Sequence, residues 1–398
     1  MGYAAVILFS CIVGLAFSIA PVFISTLGVF IKPIAAEFGW GRTQVASAIS
    51  ISSIAIAISA PIVGQLIDKH GPRKVILLST IGLSLAIAAL WFLPNSYAVY
   101  ILLAAAIGIA GTGSNTFAYL SVLPAWFDAK FGLSIAIAMM GIGIGQFFTP
   151  LYADWLVSGF GWRLAYVALG LSILVVTVPN ALFLLRDHPA GKEAEKKSSQ
   201  SDLPGLTRAE ALRMPAFWRL AASFCLITIA VIGCTVHLVP LLTDRGLTPA
   251  AAASTAASIG LSMLVARFAT GFLLDYVNAS FLGIVSFCGA AIGIGLLLSG
   301  QPGFPVQIGV ILLGVAVGVE GDLIAYMVRR VFGMRAYGAI YGFLFSAFSI
   351  GVVLGPLLMG LSFDLSGNYA IGLKCSLALA VMSALLLMQK LPKATWKQ

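Results

Sequence analysis

His237, Arg267, Glu320 and Asp322 are ionisable side chains that stand inside long apolar runs of this chain. An arginine in hydrocarbon costs several kcal/mol unless it faces a cavity or a partner, so a functional role is the first reading for Arg267. Its planar guanidinium offers paired N–H donors to a carboxylate, which a lysine ammonium does not. A structural ion pair with Glu320 or Asp322 is the alternative, and the two roles are compatible. Glu320 and Asp322, two residues apart, project about 200° apart around a helix, so both cannot face one side. Either carboxyl is a candidate to carry a coupling proton, and permanent pairing with Arg267 or Arg329 stays open. Histidine titrates near neutrality, which makes His237 a third proton-coupling candidate, with helix packing as its other reading. Asn115, Tyr119 and Gln146 are polar candidates to line a cavity, or to bond between helices. Phe345 and Phe348 are candidates to wall an apolar part of a binding site, or to pack in a core. Together these groups suit anion binding and proton movement, not bond making. The sequence has no metal-ligand cluster, phosphate-binding loop or Ser-His-Asp set outside the apolar runs, so neither an enzyme nor a cofactor is expected.

The elements that must carry these residues emerge from composition. Of 398 residues, 60% are hydrophobic and 9% charged, which excludes an ordinary soluble domain. The net charge of +9 is not a nucleic-acid patch. Its cations gather at Lys69 to Lys74, Lys130, Arg186 to Arg213, Arg329 to Arg335 and Lys390 to Lys397, leaving the alternate connections nearly bare. By the positive-inside rule this asymmetry orients a membrane protein with those connections and both termini in the cytosol. The expected partner surface is therefore the lipid bilayer, and the expected location a bacterial inner membrane. Five cysteines lie inside apolar runs without metal-ligand spacing. Residues 4–31 are too long for a signal segment and read as a first span. Twelve spans are predicted: 4–31, 43–66, 75–94, 98–123, 131–158, 163–185, 216–242, 249–274, 280–299, 305–330, 336–362 and 369–389. A polar stretch over 186–214 separates 1–185 from 215–398 and reads as a cytoplasmic linker.

The charged stretch Gly64-Gln65-Leu66-Ile67-Asp68-Lys69-His70-Gly71-Pro72-Arg73-Lys74 joins two spans by a short turn. Gly64 permits close helix approach, Asp68 is placed to cap a neighbouring helix N-terminus, and Gly71 turns the chain. Arg73 and Lys74 hold the loop on the cytosolic side. The two halves repeat. Asp275 lies 207 positions after Asp68, and Gly271-Phe272-Leu273-Leu274-Asp275 reproduces the first motif. The same offset pairs Pro33 with Pro240, Gly111 with Gly318 and Asn115 with Asp322. Parallel six-helix halves with a substrate site near the midplane are the architecture this register predicts. The expected fold is thus an all-α membrane protein of twelve transmembrane helices in two pseudo-symmetric bundles.

The spacing G-x-L-x-D-x-x-G-x-R-K resembles the signature loop of the major facilitator superfamily of secondary transporters. Further stretches resemble its monocarboxylate transporter and oxalate/formate antiporter branch. They include Glu37-Phe38-Gly39-Trp40-Gly41-Arg42, Gly161-Trp162-Arg163, Arg267-x-x-x-Gly271-x-x-x-Asp275 and Glu320-Gly321-Asp322. The resemblance implies that Arg267 binds the substrate carboxylate. It also implies gating by Gly64, Asp68, Gly71, Arg73, Gly271 and Asp275, each aspartate stabilising an outward-facing state. Departures accompany it: Met263 stands where proton-coupled members of the branch have an aspartate, and 336–362 lacks the lysine of oxalate carriers. A single central cation suits a monoanion.

The function expected is secondary transport of a small organic anion, a monocarboxylate, by alternating access. The partner is a coupling proton or a counter-anion, and the protein acts as a monomer. An exporter of amphipathic compounds and a non-transporting membrane sensor are the alternatives.

Overall fold

The computed structural model describes residues 2–127, 130–185, 204–300 and 303–389. Residues 186–203 of the expected linker and Lys390 to Lys397 lie outside the described residues. Every regular element described is a helix, with one isolated bridge between Gly205 and Gly333. Hydrocarbon offers no partner for backbone N–H and C=O groups, so runs this apolar must satisfy them within each segment. Eleven helical stretches among the described residues are long and apolar enough to cross a membrane. The one over Phe131–Leu184 has 54 residues, far beyond the roughly 20 that one crossing needs. Gly161 breaks it at φ 78°, a conformation that glycine alone adopts readily, and so divides it into two spans. Twelve crossings result, as the sequence predicts.

Several boundaries differ from expectation. The first span is interrupted: Gly2–Ala16 and Leu27–Phe38 flank a π-helical segment Ala20–Ile24 that contains Pro21. It also runs past Pro33 to a left-handed Gly39, because an internal proline removes a single helical bond. The span predicted over 98–123 is Tyr97–Thr112 followed by the short helix Thr116–Leu120. The one predicted over 216–242 stops at Val236 and resumes at Leu238–Thr243. Inside the expected linker, Thr207 and Glu210 form a capping box that starts a short helix, Arg208–Arg213.

The chain divides into two compact units, Met1–Leu203 with Arg335–Gly342, and Pro204–Met334 with Phe343–Gln398. Helix Tyr337–Ser366 thus gives its first residues to one unit and the rest to the other. In the first unit Gly141 and Gly145 meet the carbonyls of Ile12 and Ala16, and Asn180 Nδ2 donates to the Ser10 carbonyl at 2.9 Å. In the second, Ser223 and Ser383 exchange hydroxyl-to-carbonyl bonds of 2.9 and 2.8 Å. Small residues do this work because lipid offers no hydrophobic drive between helices, leaving close packing and hydrogen bonds.

Candidate functional site

The charged groups are assembled in the second unit by a glycine seam. Helices Pro249–Leu273 and Phe304–Phe332 run side by side. A methyl at Gly314 would lie 2.7 Å from the Ile259 carbonyl, and one at Gly318 2.5 Å from that of Met263. Glycine at both places lets the backbones touch. One turn beyond Met263 is Arg267, and one turn beyond Gly318 is Asp322. The seam therefore delivers guanidinium to carboxylate, with Arg267 Nε 3.9 Å from Asp322 Oδ1. The carboxylate beside Arg267 thus comes from the neighbouring helix, while Met263 stands one turn before it on its own.

Burial of the pair is unequal. The Asp322 side chain is 0% exposed and that of Arg267 12%. Neither Asp322 oxygen has a hydrogen-bond partner among the described residues. At 3.9 Å the pair is a loose ion pair without the bidentate geometry that makes such contacts strong. A guanidinium placed by its helix seam beside a loosely held counter-ion can donate to an incoming carboxylate in a two-bond fork.

Glu320 points elsewhere, as two positions on a helix require. Its carboxyl meets Thr228 of helix Pro215–Val236, and Thr228 Oγ1 also bonds the Phe224 carbonyl at 2.6 Å. Glu320 is 2% exposed, with no cation at ion-pair distance among the described residues. Thr228 was not among the candidates read from the sequence. His237 occupies the break after Val236, where its Nε2 lies 3.1 Å from the Pro356 carbonyl and its Nδ1 3.3 Å from the Tyr369 hydroxyl. A carbonyl only accepts, so Nε2 carries hydrogen and donates to it. Nine residues separate His237 from Thr228, about 14 Å along a helix. From the break between the two helices His237 thus touches Pro356 and Tyr369. Phe345 and Phe348 pack on each other with ring centres 5.4 Å apart.

The first unit holds the remaining candidates. Asn115 sits where the fourth span breaks, its Oδ1 accepting from Thr116 N at 2.7 Å to cap the next short helix. Tyr119 is fully buried against Gly14, with its hydroxyl beside Thr80. Gln146 is exposed. These three are not drawn into one cluster: one caps a helix, one packs in the core and one lies on the surface.

The charged stretch forms a clamp inside the same unit. Asp68 Oδ1 accepts from Gly338 N and Oδ2 from Ala339 N, both at 2.7 Å, at the start of helix Tyr337–Ser366. A carboxylate there meets unsatisfied N–H groups and the positive end of the helix dipole. Gly64 has the Gly338 carbonyl against it, which brings the helices close enough for both bonds. Gly71, at φ 81°, turns the chain, and Arg73 Nε donates to the Ala181 carbonyl at 3.1 Å, fastening the loop to the end of the sixth span. In the second motif Gly271 is buried and Asp275 follows helix Pro249–Leu273.

Comparison with known proteins agrees with this architecture. The sequence profile of the Major Facilitator Superfamily matches residues 7–356. Monocarboxylate transporter 13 of Rattus norvegicus is 30% identical over 359 residues, spanning 86% of this chain and 79% of that protein. Probable nitrate/nitrite transporter NarK2 of Mycobacterium tuberculosis (strain ATCC 25618 / H37Rv) is 25% identical over 338 residues, 82% of each. Among solved structures, the proton:xylose symporter XylE matches with a TM-score of 0.77 at 11% identity, covering 98% of this chain and 96% of that one. With a family profile spanning most of its length and a twelve-span helical fold to match, this chain is a multi-pass membrane protein belonging to the major facilitator superfamily.

Proposed function

We propose that the protein is a secondary carrier of a small organic anion, a monocarboxylate, moved by alternating access as a proton symporter or an anion exchanger. The observation that carries this reading is Arg267, held inside a span by a glycine seam and 3.9 Å from its counter-ion Asp322. Substrate carboxylate would take the guanidinium in place of that counter-ion, with Phe345 and Phe348 as apolar neighbours for its short chain. The relatives named for monocarboxylates and for nitrate/nitrite support a monoanion. Asp68 and Asp275 act as gates, and 186–214 links the halves on the cytosolic side of a bacterial inner membrane.

Proteoliposomes containing the purified monomer should accumulate labelled lactate, pyruvate or formate, driven by a pH gradient or by an internal counter-anion. Oxalate should move poorly, since one cation matches one carboxylate. Uptake of none of these monoanions, nor of nitrate, under either gradient would reject the proposal.

A further inference from the structure

The second unit is fastened at its first residues, and the fastening collects positive charge. Gly205 and Gly333 form the isolated bridge, with Leu206 N donating to the Phe332 carbonyl at 2.8 Å and Met334 N to the Pro204 carbonyl at 2.9 Å. Glycine is required on both sides. A methyl on Gly333 would lie 2.5 Å from the Gly205 Cα, and the two residues take positive φ values of 140° at Gly205 and 80° at Gly333. Helix Arg208–Arg213 begins at once, held by the Thr207–Glu210 capping box. Its far end is tied as well, because Trp218 Nε1 donates to the Leu212 carbonyl at 2.9 Å.

These ties set three guanidiniums at one end of the unit. Arg208 lies two residues beyond Leu206 and Arg330 two before Phe332, each at most about 7 Å of chain from the bridging bond. Arg213 closes the short helix beside the anchored Trp218. All three arginines are exposed. Glu210, turned to Thr207, is the one acidic residue in 204–219, and 326–334 has none. Among the described residues no carboxylate lies at ion-pair distance from Arg208, Arg213 or Arg330. Trp218, in the first turn of helix Pro215–Val236, is 61% exposed although its N–H is bonded. An indole so placed suits the level where headgroups meet hydrocarbon.

We propose that this end of the second unit binds the headgroup of an anionic phospholipid. Arg208, Arg213 and Arg330 supply N–H donors and charge to the phosphate, and Trp218 lies against the first carbons of the acyl chains. A free anion would satisfy the arginines and leave the indole bare; a phospholipid meets both. Lipid held there pins the short helix, and the bridge behind it, to the membrane surface. The site rests on the membrane fold and stands apart from the carrier reading.

Thermal unfolding of the purified full-length protein in nanodiscs tests this without substrate. Replacing phosphatidylcholine by phosphatidylglycerol should raise the unfolding midpoint, and added salt should shrink the rise. The double variant Arg208→Gln/Arg213→Gln should keep the midpoint in phosphatidylcholine and lose most of the rise. Each single substitution should increase the half-saturating fraction of phosphatidylglycerol about fivefold, the worth of one arginine near an anionic surface. Lys74→Gln, which removes a cation of the first unit, should leave the rise whole. Equal midpoints in the two lipids, a full rise in the double variant, or an equal loss in Lys74→Gln would overturn the site. So would the same rise from glycerol phosphate added to phosphatidylcholine discs, which would make the ligand a free anion. If the rise behaves as expected but no monoanion is carried, the carrier reading fails and the lipid site stands.

Discussion

The two units build the same helix pair and use it for different chemistry. In the first, helices Arg42–His70 and Tyr97–Thr112 approach where the Gly108 backbone meets Ser52, and Ser59 and Thr112 hydroxyls lie 2.6 Å apart. Beyond Thr112 the helix breaks, and Asn115 caps the short helix Thr116–Leu120. In the second unit the corresponding helices meet at Gly314 and Gly318, the helix continues unbroken, and the next turn places Asp322 against Arg267. Ile259 lies 207 positions after Ser52 and Asp322 207 after Asn115, whereas the contacting glycines Gly108 and Gly314 are 206 apart. One pair is joined by neutral hydroxyls, each also bonded to its own backbone; the other is joined by opposite charges.

Four substitutions bear on this contrast. Arg267→Gln should weaken monocarboxylate binding about 30-fold or more, because truncating one member of a desolvated charge pair costs about 2 kcal/mol or more. Equilibrium binding of labelled lactate is the measurement, and an unchanged affinity would remove the charge from the account. Asp68→Asn should slow transport by about tenfold with little change in affinity. An amide replaces one of two accepting oxygens at a helix end where a carboxylate contributes up to about 2 kcal/mol. Weakened binding with normal turnover would instead move Asp68 into substrate recognition.

Gly318→Ala should lower thermal stability by about 1–3 kcal/mol, the range for overpacking, and should reduce lactate binding as the seam is pushed apart. A stable variant with normal binding would show that the seam does not position Arg267. The smallest effect belongs to the first unit. Thr112→Val should cost about 0.6 kcal/mol, the average for a hydrogen bond between membrane helices, and leave binding untouched. A large loss of binding there would make the two helix pairs functionally alike.

Much of this was legible in the residues. Span lengths, the Gly161 division and the repeat emerge from hydropathy and glycine placement, because hydrocarbon leaves the backbone so few options. The pairing of Arg267 was open between Glu320 and Asp322. Gly314 and Gly318, four apart and one turn before Asp322, held the answer, but only with knowledge of which helix they face. The break at Gly113–Asn115 was hidden because the apolar run continues through Leu123. Its signal was the Gly-Ser-Asn sequence itself, a turn composition inside a span. Thr228 carried no signal, since a threonine in a membrane helix ordinarily bonds its own preceding turn.

Lactate binding compared across three proteins under one condition, wild type, Arg267→Gln and Thr112→Val, tests the central claim most directly. The expected result is saturable binding by the wild type and by Thr112→Val, and none detectable at the same concentrations by a folded Arg267→Gln. Saturable, undiminished binding by Arg267→Gln would contradict it.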